Sequence, residues 1–303
     1  MDPNTSLTES ASKGIRATIL GILTSLALAV VKVISGVVGH SYALVADGVE
    51  SMLDVLSALV VLGGLKIASS PPDRRYPFGY GKAEPLAGLV VSVALLAAAV
   101  GIAIQSVRQI QDPQHIPAPF TLGVLVLVVA AKEGMFRVMR RVGSSIGSSA
   151  VESDAWHHRS DAITSLAAFV GITIALIGGD GFESADGWAA LFACGVIAFN
   201  GARLFRSTLA EVMDIAPPPE IETRIREIAS SVDRVFEIEM CRIRKSGLTY
   251  FVDIHVHVDG DIPVWEGHRI AHEVKDALLE SELAIQDVDV HIEPAEGIES
   301  PTT

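Results

Sequence analysis

The chain has 303 residues, of which 50% are hydrophobic and only 19% charged, below the roughly 25% of an ordinary soluble domain; mean hydropathy is +0.43. Of the net charge of −13, −11 falls in residues 215–303 (19 acidic, 8 basic) and −2 in the first 214, so a nearly neutral apolar body precedes an acidic domain. These values exclude intrinsic disorder and leave no basic stripe for nucleic acid, and Cys194 and Cys241 form neither a disulfide framework nor a CxxC metal site.

A spanning helix needs about 20 mostly apolar residues. Six runs qualify, at about 15–38, 42–67, 84–110, 120–142, 155–178 and 187–207. They predict an α-helical membrane protein with six transmembrane helices over residues 15–210, after an N-terminal tail of 1–14. Six such runs leave too little polar surface for a soluble helical protein. The first run is too long for a signal-peptide core and no small-residue cleavage site follows it, so it is expected to stay. Lys13, Arg16, Arg74, Arg75, Lys82, Arg137, Arg140, Arg141, Arg203 and Arg206 all fall on one side of the bilayer. That bias predicts cytoplasmic N- and C-termini.

Ionisable residues inside spans are functional hypotheses by default. The second run carries Asp47, Glu50 and Asp54; the fifth carries Asp154, His157 and Asp161. Both have the spacing D-x-x-[E/H]-x-x-x-D. Positions i and i+4 share a helical face, so Glu50 with Asp54, and His157 with Asp161, each project two donors from one face. If the faces meet, three carboxylates and one imidazole surround a divalent cation, a set that suits zinc. Without a cation the carboxylates repel and take up protons, which gives a basis for exchanging metal against H⁺. Asp47 and Asp154 lie about one turn away, outward and inward respectively, and are candidate relay groups or water-facing helix-start acids. His158 points away from His157 and suits packing. Lys32 and the Lys132–Glu133 pair are explained by snorkelling or an interhelical ion pair, with no transport role assigned.

These motifs resemble the cation diffusion facilitator family, proton-coupled divalent-metal exporters. Ser41 to Asp54 resembles the family's second-helix motif, Tyr76 to Glu84 its loop into helix three, and His157-x-x-x-Asp161 its fifth-helix motif. The resemblance implies a transport site at Glu50, Asp54, His157 and Asp161, protons as counter-ion and a homodimer; the donor set favours Zn²⁺ as cargo, and the short loops fit a bacterial plasma membrane. Glu50 departs from the Asp, His or Asn more usual there and is one methylene longer, so Fe²⁺, Mn²⁺, Cd²⁺ and Co²⁺ stay open as alternatives. Some relatives bind metal in the loop through histidines where this chain has Tyr76 and Tyr80. Beside Asp73, tyrosine with a pKa near 10 is a poor zinc ligand at neutral pH, so no loop metal is expected.

Pro217-Pro218-Pro219 ends a linker of 211–219. An α+β domain is expected over 220–295, with a disordered tail at 296–303. Helices fall at Ile221–Val232 and Trp265–Leu283, and strands at Phe236–Arg244, Leu248–Val258 and Val288–Ile292, with a hairpin at Lys245-Ser246-Gly247. Alternation puts Asp253, His255 and His257 on one strand face and Val252, Ile254 and Val256 on the other. The resemblance implies a metallochaperone-like dimerisation fold, with Glu239, His255, His268, His291 and Glu293 as a regulatory metal set; His257 and His272 are weaker candidates. A solvated polar sheet face is the bland alternative.

A membrane metalloenzyme is disfavoured, since four protein ligands leave no open position for water and neither HExxH nor G-x-S-x-G occurs. A passive channel lines its pore with repeated weak sites rather than one tight cluster.

Overall fold

The computed structural model describes residues 3–112, 116–146, 149–178 and 182–295, with side chains from Ile19 onward except 61, 65 and 146–154. Six long helices come first: α1 Pro3–Val38, α2 Tyr42–Ala68, α3 Ala83–Gln111, α4 Phe120–Ile146, α5 Ser149–Ile177 and α6 Ala185–Val212. Then follow α7 Pro219–Ser230, β1 Glu237–Ser246, β2 Thr249–Val258, α8 Val264–Leu279 and β3 Ile285–Pro294. The chain divides into two compact units, residues 1–60 with 90–205, and residues 61–89 with 206–303.

Most helices outrun the apolar stretches that predicted them. α1 starts at Pro3 rather than near 15, so most of the expected tail is helical; proline suits a first turn, where its missing N–H has no partner to lose. α5 starts at Ser149 rather than 155. Hydropathy marks the membrane limits, whereas the helix continues until a cap or breaker stops it. The expected tail at 296–303 lies outside the described residues.

Among the described residues, five helical stretches are long and apolar enough to cross a membrane: Ile19–Val38, Tyr42–Ala68, Ala83–Gln111, Ala155–Ile177 and Ala185–Val212. α4 is set apart by the charges Lys132, Glu133 and Arg137 from its middle onward, followed by Arg140 and Arg141 near its end. Their placement reconciles them with a sixth span. The Lys132 side chain is 1% exposed inside the bundle, while Glu133 and Arg137 pair with each other at 2.9 Å on the outside. The protein therefore has six transmembrane helices. Side chains such as Val90, Val100, Leu127, Ile163 and Phe199 point outward, the surface expected of a solvent of acyl chains rather than water.

Inside the first unit, α4 packs along α5 and α1 packs on both. Ala43, Leu44 and Ala46 of α2 meet Leu125 of α4, Ala168 and Ile172 of α5 and Ala190 of α6. The α2 N-terminus is capped twice. Ser41 Oγ accepts the Leu44 N–H at 3.1 Å. Asp186, buried at the start of α6, accepts from Ser41 Oγ at 2.7 Å and from the Tyr42 and Ala43 N–H groups at 2.6 and 3.3 Å.

In the second unit β1 and β2 form an antiparallel hairpin and β2 pairs with β3 in parallel, in the order β1-β2-β3. Ser246 pairs with Thr249, so only two residues turn the chain, and Gly247 supplies the positive φ of +62°. α8 makes the crossover between the parallel strands, as such pairs require. Val252, Ile254 and Val256 are buried with Ile225 of α7 and Ile270, Val274 and Leu278 of α8. Asp253, His255 and His257 therefore take the opposite face, as the alternation predicts. The loop before α3 belongs to this unit: Arg244 stacks 5.0 Å from the rings of both Phe78 and Phe251, and Lys82 pairs with Asp214 while donating to the Glu211 carbonyl at 2.8 Å.

Cys241 lies part-buried on β1, and burial pushes its thiol up to about 11. At pH 8 about one Cys241 in a thousand is then thiolate. Iodoacetamide labelling of Cys241, followed by peptide mass spectrometry at pH 8, should run about a hundredfold slower in the folded protein than in the urea-unfolded chain.

Candidate metal centre

α2 and α5 supply the central cluster. Asp54 Oδ2 lies 3.8 Å from His157 Nε2, which lies 3.9 Å from Asp161 Oδ2. One donor atom from each of the three falls within 4.8 Å of the others. The i,i+4 spacing of His157 and Asp161 puts both on one α5 face. A cavity of about 80 Å³ opens on the trio, lined also by Ser25, Ser51, Lys132 and His158. Glu50, one turn back on α2, does not join the trio. Its Oε2 is buried and makes no hydrogen bond, the condition of a carboxylate oxygen that an ion or proton would satisfy.

Two lysines complete the polar interior. Lys32 Nζ lies 2.9 Å from Asp47 Oδ2, with side chains 0% and 3% exposed, and also donates to Ser51 Oγ at 3.1 Å. Ser165 Oγ donates to the same Asp47 oxygen at 2.8 Å, so Asp47 ties α1, α2 and α5 together. Close approach of α1 and α2 depends on Gly48, where a Cβ would fall 2.8 Å from the Val33 nitrogen. Lys132 Nζ lies 2.6 Å from Asp161 Oδ2. The backbone of Asp154 is in the first turns of α5, but its side chain lies outside the described residues.

A second cluster occupies the exposed face of the sheet. β1 shifts register between Ile238 and Met240, which makes Glu239 the extra residue of a bulge; bulges re-aim side chains. The parallel register sets His255 beside His291 and His257 beside Glu293. One Glu293 oxygen lies 2.7 Å from His255 Nδ1 and 3.4 Å from His291 Nε2, and the other 3.6 Å from His257 Nε2. Donor atoms of Glu239, His257 and Glu293 fall within 4.8 Å of one another. A hydrogen bond with Glu239, then the neighbouring His255 and His291, hold the Glu293 carboxyl below the usual carboxylate range. His268 does not join this group; on α8 it meets His272, Nε2 to Nε2 at 3.2 Å.

The carboxylate in the loop before α3 is engaged locally. Asp73 accepts the Arg75 and Tyr76 N–H groups, both at 2.7 Å, and the Tyr80 hydroxyl at 2.7 Å. The Tyr76 N–H, then the Tyr80 hydroxyl, keep the Asp73 carboxyl below its ordinary value.

Residues 18–213 match the cation efflux transmembrane domain, and residues 217–295 the cation efflux protein cytoplasmic domain. The chain belongs to the cation efflux, or cation diffusion facilitator, family. The manganese efflux system protein MneP of Bacillus subtilis (strain 168) is 28% identical, over 92% of this chain and 95% of its own. Magnetosome protein MamB of Magnetospira sp. (strain QH-2) is 31% identical, over 87% and 89%. Metal tolerance protein C1 of Arabidopsis thaliana is 30% identical, over 91% of this chain and 61% of its own. A solved MamM C-terminal domain is 27% identical, covers 26% of this chain and 98% of that one, and has a TM-score of 0.25. This cation efflux protein is an integral membrane transporter of divalent metal ions and not an enzyme.

Sequence reasoning assigned neither Lys132 nor Lys32 to the site of this cation efflux protein. The available sign was that each falls four or more residues inside an apolar run, too deep to snorkel. His257 is the weaker candidate by resemblance, since it is not among the matched positions, and the bulge at Glu239 beside it has no sequence mark. Replacing Asp47 by Ala leaves the Lys32 ammonium buried without its carboxylate, which should destabilise the fold by about 3–5 kcal/mol. Thermal unfolding in detergent is expected to show this as a lower Tm, with Asp47→Ala and Lys32→Met together recovering much of the loss.

Proposed function

We propose that this cation efflux protein is a homodimeric exporter that carries Zn²⁺ out of the cytoplasm in exchange for protons, with Glu50, Asp54, His157 and Asp161 as the ion's ligands. The observation that carries the reading is the convergence of Asp54, His157 and Asp161, from two helices, on one small cavity. Zinc ligands need bond lengths of about 2.0–2.2 Å, so the trio must close by an ångström or so around the ion, and Glu50, with its longer side chain and unbonded oxygen, reaches in as the fourth donor. Metal and protons compete for the same carboxylates and imidazole. His157, with a reference pKa near 6.5, is the natural proton carrier.

Two further features support parts of this reading. The excess of Lys and Arg on one set of helix ends favours cytoplasmic termini in a bacterial plasma membrane. The match to the family's cytoplasmic domain favours dimerisation through the C-terminal sheet, where Glu239, His255, His257, His291 and Glu293 form a regulatory metal site. Mn²⁺ is the second reading, because the donor set is mostly oxygen and one relative is named for manganese efflux.

Proteoliposomes with an imposed pH gradient test the proposal against a panel of Zn²⁺, Mn²⁺, Fe²⁺, Cd²⁺ and Co²⁺. Zn²⁺ flux is expected to depend on the gradient and to fall more than about tenfold in Asp54→Asn and in Asp161→Asn. Flux indifferent to the gradient would remove the antiport mechanism, and Mn²⁺ outpacing Zn²⁺ would select the second reading. Replacing Glu239 and His257 by Ala should lower the number of Zn²⁺ bound per chain by one while gradient-driven flux persists.

A further inference from the structure

Asp161 Oδ2 has two claimants. It is the oxygen that faces His157 Nε2 at 3.9 Å across the cavity, and it is the oxygen bound by Lys132 Nζ at 2.6 Å. A divalent ion ligated there would sit about 2.0–2.2 Å from the same atom, where an ammonium at hydrogen-bond distance repels it. Lys132 also has somewhere else to go. Its Nζ donates to Ser25 Oγ at 3.0 Å and lies 3.5 Å from His158 Nδ1. Lys132, Ser25 and His158 all line the cavity that holds the trio.

We propose that Lys132 is a tethered competitor for the transported ion: its ammonium occupies Asp161 when the metal is elsewhere and swings onto Ser25 and His158 when the metal binds. The inference rests on the reading that Asp54, His157 and Asp161 hold the cargo. Lys132 is then a positioning residue with two consequences. It prevents the carboxylates from being left bare and buried together, which is costly in a low-dielectric interior. It also weakens the grip on the ion. Three carboxylates with one ammonium carry two negative charges, which one divalent ion balances; without the ammonium, the carboxylates would hold the ion in excess. A transporter must release what it binds, so an internal cation that returns to Asp161 favours turnover over retention.

The test is equilibrium dialysis of Zn²⁺ at one fixed pH on the full-length protein in lipid nanodiscs, with Glu239, His257 and Glu293 replaced by Ala to silence the cytoplasmic trio, beside the KM and kcat of flux. Lys132→Met should bind Zn²⁺ about tenfold more tightly or better, with KM and kcat both lowered. Lys132→Arg should bind more weakly, because its planar guanidinium clamps both Asp161 oxygens. A purely structural lysine would give weaker binding in both variants. Unchanged or weaker binding in Lys132→Met overturns the proposal; should that variant fail to fold, unchanged or tighter binding in Lys132→Arg does so. Asp54→Asn separates the two claims. If it binds Zn²⁺ like its parent, the ligand reading falls and this proposal with it. If it loses Zn²⁺ while both Lys132 variants match their parent, only the role of Lys132 is refuted.

Discussion

A charge buried among transmembrane helices must meet an opposite charge, because neither water nor lipid will compensate it. The two lysine–aspartate pairs of this protein satisfy that requirement and in doing so fix the helices. Lys32 of α1 holds Asp47 of α2, which also receives Ser165 of α5. Lys132 of α4 holds Asp161 of α5 and touches Ser25 of α1. Four helices are thus pinned by two ion pairs, and the donor trio of α2 and α5 is presented between them. Lipid offers no hydrophobic drive for helix association, so packing of small residues and polar links of this kind decide which helices meet.

The acidic C-terminal domain obeys the opposite solvent rule. Water lets its charges stay outside, and a single apolar sheet face, covered by α7 and α8, is enough to hold it. The other face is then free to gather histidines and glutamates in cross-strand register. Both clusters follow from periodicity: 3.6 residues per turn brings i and i+4 together on α5, and a period of two brings His255 and His257 to one side of β2.

Where sequence and structure part company, the reasons are physical. Apolar runs located the spans but not the ends of α1 or α5, since helices persist into water. α4 passed as a span by its first half, and only its packing showed how the charges from Lys132 onward are tolerated: Lys132 is turned inward to a carboxylate, Glu133 and Arg137 are turned outward to each other, and Arg140 and Arg141 fall in the last two turns. The pairings D-x-x-[E/H]-x-x-x-D on two helices were legible from spacing alone. The lysine that shares Asp161 was not, because its partner lies 29 positions away on a neighbouring helix and no local pattern links them. Likewise His268 sat in the expected cytoplasmic set by resemblance; on α8 it meets His272 and lines a cavity with His291 rather than meeting the donors of Glu239, His257 and Glu293.

The cap that α6 places on α2 bears on how such a bundle moves. Asp186 holds the first residues of α2 by one hydroxyl and two backbone amides, and parting those helices means stripping a buried carboxylate of three donors at about 1.5–3 kcal/mol each. The exporter proposed above would therefore move most cheaply with that junction kept closed. In the proposed exporter, α2 and α6 would turn about it like two blades on a shared pin, with the freedom to swing left to the ends remote from it.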